Sequence, residues 1–108
     1  MPHHIQLLWF SDCPNHEAVR ALLREMRERL ASDSTLEDID ASDPAVAAHY
    51  RSPGSPTVRV DEIDVDPAFE DPRDYTPRCR LYRTSHGLGG RPDPAWIEQA
   101  LKREPPQD

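Results

Sequence analysis

The chain has 108 residues, room for one domain around one core, since domains run from roughly 50 to 250 residues. At 36% hydrophobic and 31% charged it is polar, yet it carries enough apolar side chains to close a small core, which argues against disorder throughout. The net charge of −7 argues against a nucleic-acid or anionic-membrane surface, and the longest apolar stretch falls far short of the roughly 20 residues that cross a bilayer.

Residues 5–10 form a short, nearly continuous apolar run ending in Ser11-Asp12, the pattern of a central strand buried on both faces. From Pro14 onward Val19, Leu22, Leu23, Met26 and Leu30 recur at helical spacing with charged residues opposite, predicting an amphipathic helix to about Ala31. Residues 35–41 predict an edge strand, and Asp43-Pro44 opens a short helix closed by Pro53-Gly54. Residues 57–60 and 79–83 read as strands. Between them lies an inserted loop, residues 61–78, in which Val65 is a candidate for a short return strand. Asp93-Pro94 opens a last helix with Ile97, Ala100 and Leu101 on its inner face, and residues 104–108 are expected to be a flexible tail. The order β-α-β-α-β-β-α predicts an α/β fold with a mixed four-stranded sheet flanked by helices.

Charge is unevenly placed. Residues 61–74 hold seven carboxylates against Arg73 alone, and no acid separates Asp74 from Asp93 while Arg78, Arg80, Arg83 and Arg91 arrive. Solvation of both runs, or their pairing within the domain, accounts for them. No cofactor motif is present: Gly87-Leu88-Gly89-Gly90 lacks the Gly-Lys-Ser/Thr of a phosphate loop, and Asp64-Val65-Asp66-Pro67 lacks the turn glycine of a calcium loop. His3 and His4 adjoin the terminus and point to opposite faces if extended, so they are not a ligand pair; Trp9 and Trp96 read as core or near-core aromatics.

All three predicted helices start with a capping residue followed by Pro, and in the first the cap is Cys13. A helix N-terminus favours an anion, so a cysteine there is placed to react as thiolate. No signal-peptide pattern heads the chain, which leads to the expectation of a cytoplasmic protein. In a reducing compartment two cysteines are more often redox-active, metal-binding or buried than structural.

The strand Leu-Leu-Trp-Phe at 7–10, Cys13-Pro14-Asn15-His16 opening a helix, and Gly54-Ser55-Pro56-Thr57 opening a strand together resemble the thioredoxin-like fold over residues 4–103. With Cys-Arg-Leu-Tyr-Arg at 79–83 they resemble a group of small bacterial thioredoxin-family proteins. The resemblance implies one thioredoxin-like domain with Cys13 as its reactive thiol and a cis peptide bond before Pro56. It further implies that Asp12, Pro14, Asn15, Ser55 and Pro56 form the walls against which a thiol or disulfide substrate, or a protein partner, is held.

His16 stands where a Cys-x-x-Cys dithiol has its second cysteine, and three consequences compete. Cys13 acts alone, with a His16 imidazolium favouring its thiolate; Cys79 is the resolving thiol; or the chemistry is lost and the domain is a binding or scaffold module whose acidic loop docks a protein. Cys79 and Leu81 share one strand face, so with Leu81 in the core Cys79 is a buried thiol. Its other readings are a disulfide with Cys13 and a soft-metal or organomercurial site formed by both cysteines with Asp12 or His16. A simple hairpin of residues 57–60 with 79–83 leaves Cys79 at the far end of the sheet and predicts a lone Cys13 thiol. A return strand at Val65 would instead carry Cys79 back to it.

Overall fold

The computed structural model describes residues 2–104; the tail expected at 104–108 therefore lies almost wholly outside them. Strand β1 (His4–Trp9) is central, with β2 (Thr35–Asp40) parallel on one side and β3 (Thr57–Val60) antiparallel on the other. Strand β4 (Ile63–Asp64) extends β3, giving a mixed four-stranded sheet in the order β2-β1-β3-β4. Helices α1 (His16–Leu30), α2 (Pro44–Tyr50) and α3 (Pro94–Lys102) complete the α/β arrangement. No helix among the described residues is long and apolar enough to cross a membrane.

Alternation along β1 sorts the layers. Ile5 and Leu7 pair across the sheet with Val60 and Val58, and all four join Val19, Leu23 and Met26 of α1 and Ile97, Ala100 and Leu101 of α3 in one buried cluster. Leu8 points the other way and is buried beside its register partners Ile39 and Thr57, apart from that cluster. Burial on both faces is why β1 reads as a nearly unbroken apolar run. Trp9 and Trp96, read as core or near-core aromatics, are partly buried and pack against the cluster.

Two of the three expected caps form. Asp43 and Asp93 each accept a hydrogen bond from the backbone N–H two residues on, Ala45 at 2.8 Å and Ala95 at 3.0 Å, with Pro at the first helical position. The first helix departs from the pattern: it begins at His16 with Asn15 as its cap, and Cys13 lies in the turn before it, its N–H bonded to the Phe10 carbonyl at 3.0 Å. Helix α2 is closed by Arg51 in the left-handed conformation rather than by Pro53-Gly54.

The fourth strand is also relocated. The hairpin partner of β3 is β4, reached through the two-residue turn Asp61-Glu62, both with positive φ of 55° and 70°. Such a turn matches the twist of the flanking strands, and without the usual glycine it gives little signal in the sequence. Residues 82–84 and 87–89 instead make a separate antiparallel pair, β5 (Tyr82–Thr84) and β6 (Gly87–Gly89). The Val65 segment does return: Val65 is buried and its N–H donates to the Val58 carbonyl at 3.1 Å. The terminus is not loose at His3, which is 6% exposed with its ring bonded to Asp61 at 2.6 Å and to the Leu101 carbonyl at 3.0 Å.

Candidate functional site

Cys13 follows the C-terminal end of β1, and β3 runs antiparallel to β1, so the start of β3 lies at the same end of the sheet. The Ser55–Pro56 peptide bond just ahead of β3 is cis. Cys79 comes to this end because its segment bridges Ser55 in parallel: the Ser55 N–H donates to the Arg78 carbonyl at 2.8 Å, and the Arg80 N–H to the Ser55 carbonyl at 2.9 Å. Cys13 and Cys79 are joined by a disulfide with their Cα atoms 5.7 Å apart, well inside the span such a bond allows. The expectation of a lone Cys13 thiol is thereby overturned. The short β3–β4 hairpin takes the slot assigned to residues 79–83, and the chain is left free to return to the Cys13 end.

The two sulfurs have unequal surroundings. Cys13 is 0% exposed, whereas Cys79 is an exposed residue. The reading of Cys79 as buried with Leu81 inverts the strand: Leu81 is 68% exposed, and it is Arg80 and Tyr82 that turn inward. A guanidinium is taken inside because its charge is answered there.

Arg80 donates to both carboxylate oxygens of Asp64, at 2.7 and 3.0 Å, and to the Thr57 hydroxyl at 3.0 Å, with Asp66 at 3.7 Å. Its guanidinium lies 4.3 Å from the Tyr82 ring centroid and 5.2 Å from that of Phe69. Burial is the largest influence and works against the charge, but the Asp64 hydrogen bonds together with the charges of the groups around it, Asp64 and Asp66 among them, hold the Arg80 pKa above the ordinary arginine value. The Tyr82 hydroxyl, pushed up by burial, donates to the Pro56 carbonyl. Gly54 completes the fit: its φ is 145°, and a Cβ there would sit 2.9 Å from the Arg80 Cβ. Two acids of the inserted loop thus act as counter-ions beneath Cys79.

The remaining candidates surround the disulfide in part. His16, offered as a neighbour of the Cys13 thiolate, is 8% exposed and stacks on Trp9 at 4.6 Å between ring centroids. Asn15 packs against Gly90, where a side chain would collide with its amide, and accepts a hydrogen bond from Arg91 Nε at 3.3 Å. Asp12 and Pro14 are exposed, and Ser55 is buried beneath the bridge. Among the described residues the buried side-chain polar atoms without a hydrogen-bond partner are His16 Nδ1 and Ser55 Oγ, on the two segments that the disulfide site brings together. Buried unpartnered atoms are uncommon, and functional sites are one place they occur.

No group of three or more His, Cys, Asp or Glu side chains that could hold a metal ion is found among the described residues. Reasoning from the sequence missed Arg80, Asp64, Asp66 and Tyr82. Their signal was present as an acidic run followed by a basic one, but which acid meets which arginine depends on the path of the loop. Comparison of the chain with protein-family models, with curated proteins and with solved structures finds no match.

Proposed function

We propose that this chain is a thiol–disulfide exchange protein on a thioredoxin-like fold, with Cys13 and Cys79 as its redox couple. The observation that carries the reading is the disulfide itself, with one sulfur on a buried residue and the other on an exposed one at the end of the sheet. A bond accessible from one side is open to attack by an external thiolate, and access is one determinant of exchange rate. The cis bond before Pro56 and the Cys13 turn leading into α1 agree with the resemblance to the thioredoxin-like fold. Cys13 lies two residues before the α1 cap, and the positive end of a helix favours a cysteine leaving as thiolate. His16 Nδ1 and Ser55 Oγ offer polar atoms not already committed to the resting structure.

This reading replaces a single-cysteine mechanism with a two-cysteine one in which the second thiol lies 66 residues away rather than three. Equilibration of the protein in thiol–disulfide buffers, with the oxidised fraction read by mass spectrometry, tests it. Redox-active couples have midpoints between roughly −120 and −270 mV, whereas structural disulfides lie below roughly −300 mV. A midpoint in the first range is expected; one in the second would make the bond a structural staple and favour a binding module instead.

A further inference from the structure

We infer that the disulfide is opened from the Cys79 side, by an anionic thiol, with Cys13 as the departing thiolate. The inference rests on the exchange reading above and adds which sulfur is attacked and which chemistry is selected. The first part follows from access. Cys13 has no exposed surface while Cys79 is an exposed residue, so an incoming thiolate approaches the bond from the Cys79 side.

The surface around that sulfur supplies the second part. Alternation turns Cys79, Leu81 and Arg83 outward while Arg80 and Tyr82 turn in. Leu88 is the cross-strand partner of Arg83 and is 67% exposed, so two leucines and an arginine share one outward face with the sulfur. Arg78 flanks Cys79, and Arg91 reaches Asn15, two residues from Cys13. Arg83 and Arg91 make no ion pair among the described residues. Carboxylates bordering this face include Asp74, 3.8 Å from Arg78, Asp12, exposed beside Cys13, and the buried Asp93, which accepts from Ser85. Between Asp74 and Asp93 the chain has none, and Arg83 and Arg91 stay without an ion-pair partner among the described residues, so these two charges give the face a basic character on a molecule whose net charge is −7. A thiol carrying a carboxylate or sulfonate complements that face, and a cationic thiol is repelled by it.

The chemistry balances in two displacements. A thiolate RS⁻ attacks Cys79 Sγ, the sulfur–sulfur bond breaks, and its electron pair leaves on Cys13. A second RS⁻ attacks the bound R-sulfur and releases the Cys79 thiolate with RSSR, so two electrons pass from two thiols to the protein.

The test compares 2-mercaptoethanesulfonate, 2-mercaptoethanol and cysteamine as reductants of the oxidised full chain, each rate divided by its thiolate concentration. At low ionic strength the sulfonate should outpace cysteamine by roughly tenfold, the lower end of electrostatic steering. The ratio should fall toward one at about 0.5 M salt, where screening is nearly complete. Arg83→Glu, at an exposed position, should reverse the ratio, and Arg91→Gln should reduce it. Acid quenching with maleimide labelling should place the mixed disulfide on Cys79 and the label on Cys13, and the kinetic ratio is read whether or not the adduct accumulates. An adduct on Cys13, or equal rates for the anionic and cationic thiols, would overturn the inference. The midpoint measurement tests the exchange reading by equilibrium alone, so the two can fail separately. A peptide of the form Asp-Glu-Cys-Glu, run against its lysine counterpart, distinguishes a protein source of the anionic thiol from a small-molecule one.

Discussion

A buried guanidinium whose carboxylate partner is removed, or a buried carboxylate left without its guanidinium, costs about 3–5 kcal/mol. The Asp64 side chain is 3% exposed and that of Arg80 is 9%, so neither can turn to water for compensation. Arg80→Leu should therefore destabilise the oxidised protein by about that amount in urea unfolding, because it strands Asp64. The double variant Arg80→Leu with Asp64→Leu should lose markedly less; equal losses would show that the pair is not coupled. Asp61 makes a different case. Desolvation raises its pKa, but hydrogen bonds from the His4 N–H and the His3 ring outweigh this and hold it below the usual carboxylate value. A depressed carboxylate stabilises the fold fully above the unfolded pKa, about 3.9, and that contribution is lost as pH falls through the lower folded value. The stability advantage of the wild type over Asp61→Asn should hence shrink as pH falls through the lowered folded value. A constant difference down to pH 2 would remove the His3–Asp61 contact from the account.

At the scale of elements, two helices share a capping device with unequal work attached. The Asp43 carboxylate accepts only from the Ala45 N–H among the described hydrogen bonds. Asp93 is 5% exposed and accepts from Ala95 N–H, from Ser85 N–H at 3.3 Å and from the Ser85 hydroxyl at 2.7 Å, so it ties the β5–β6 turn to the start of α3. Loss of a cap costs about 0.5–2 kcal/mol. Asp43→Ala should fall in that range, and Asp93→Ala should exceed it, because the Ser85 donors are orphaned as well. Amide exchange should then quicken across residues 82–89 in the Asp93 variant only. Similar losses for both would mean that the Ser85 bonds contribute little.

Across the whole molecule the disulfide ties residues 66 apart in sequence, and with them the inserted loop, to the end of the sheet. Loop-closure entropy for that separation amounts to about 4 kcal/mol. Reduced wild type and Cys79→Ser should both unfold at lower urea than the oxidised protein, with midpoints that nearly coincide. If Cys79→Ser were instead as stable as the oxidised protein, the loop would be held by its ion pairs alone. Those pairs are substantial in number: besides the Arg80 cluster, Asp71 lies 3.4 Å from Arg51. The carboxylates of residues 61–74 are thus partly counter-ions of their own chain.

The sequence by itself determined the elements whose cause is local. Apolar continuity made β1 central, helical spacing made α1 amphipathic, and Asp-Pro pairs opened α2 and α3, since each depends on residues a few positions apart. Cys13 at its helix start, and Ser55 and Pro56 through the resemblance, are also legible in the sequence, and they lie at one end of the sheet. Only the tertiary structure decided the pairing of Cys13 with Cys79, the inward turn of Arg80 and the burial of His16 on Trp9. Strand alternation says that Cys79 and Arg80 face opposite ways, but not which way is in. That choice falls to Asp64, which answers a buried guanidinium only because the two-residue Asp61-Glu62 turn folds β4 back beside β3. The energy that sets the site therefore resides in contacts between residues distant in sequence, and no local pattern encodes them.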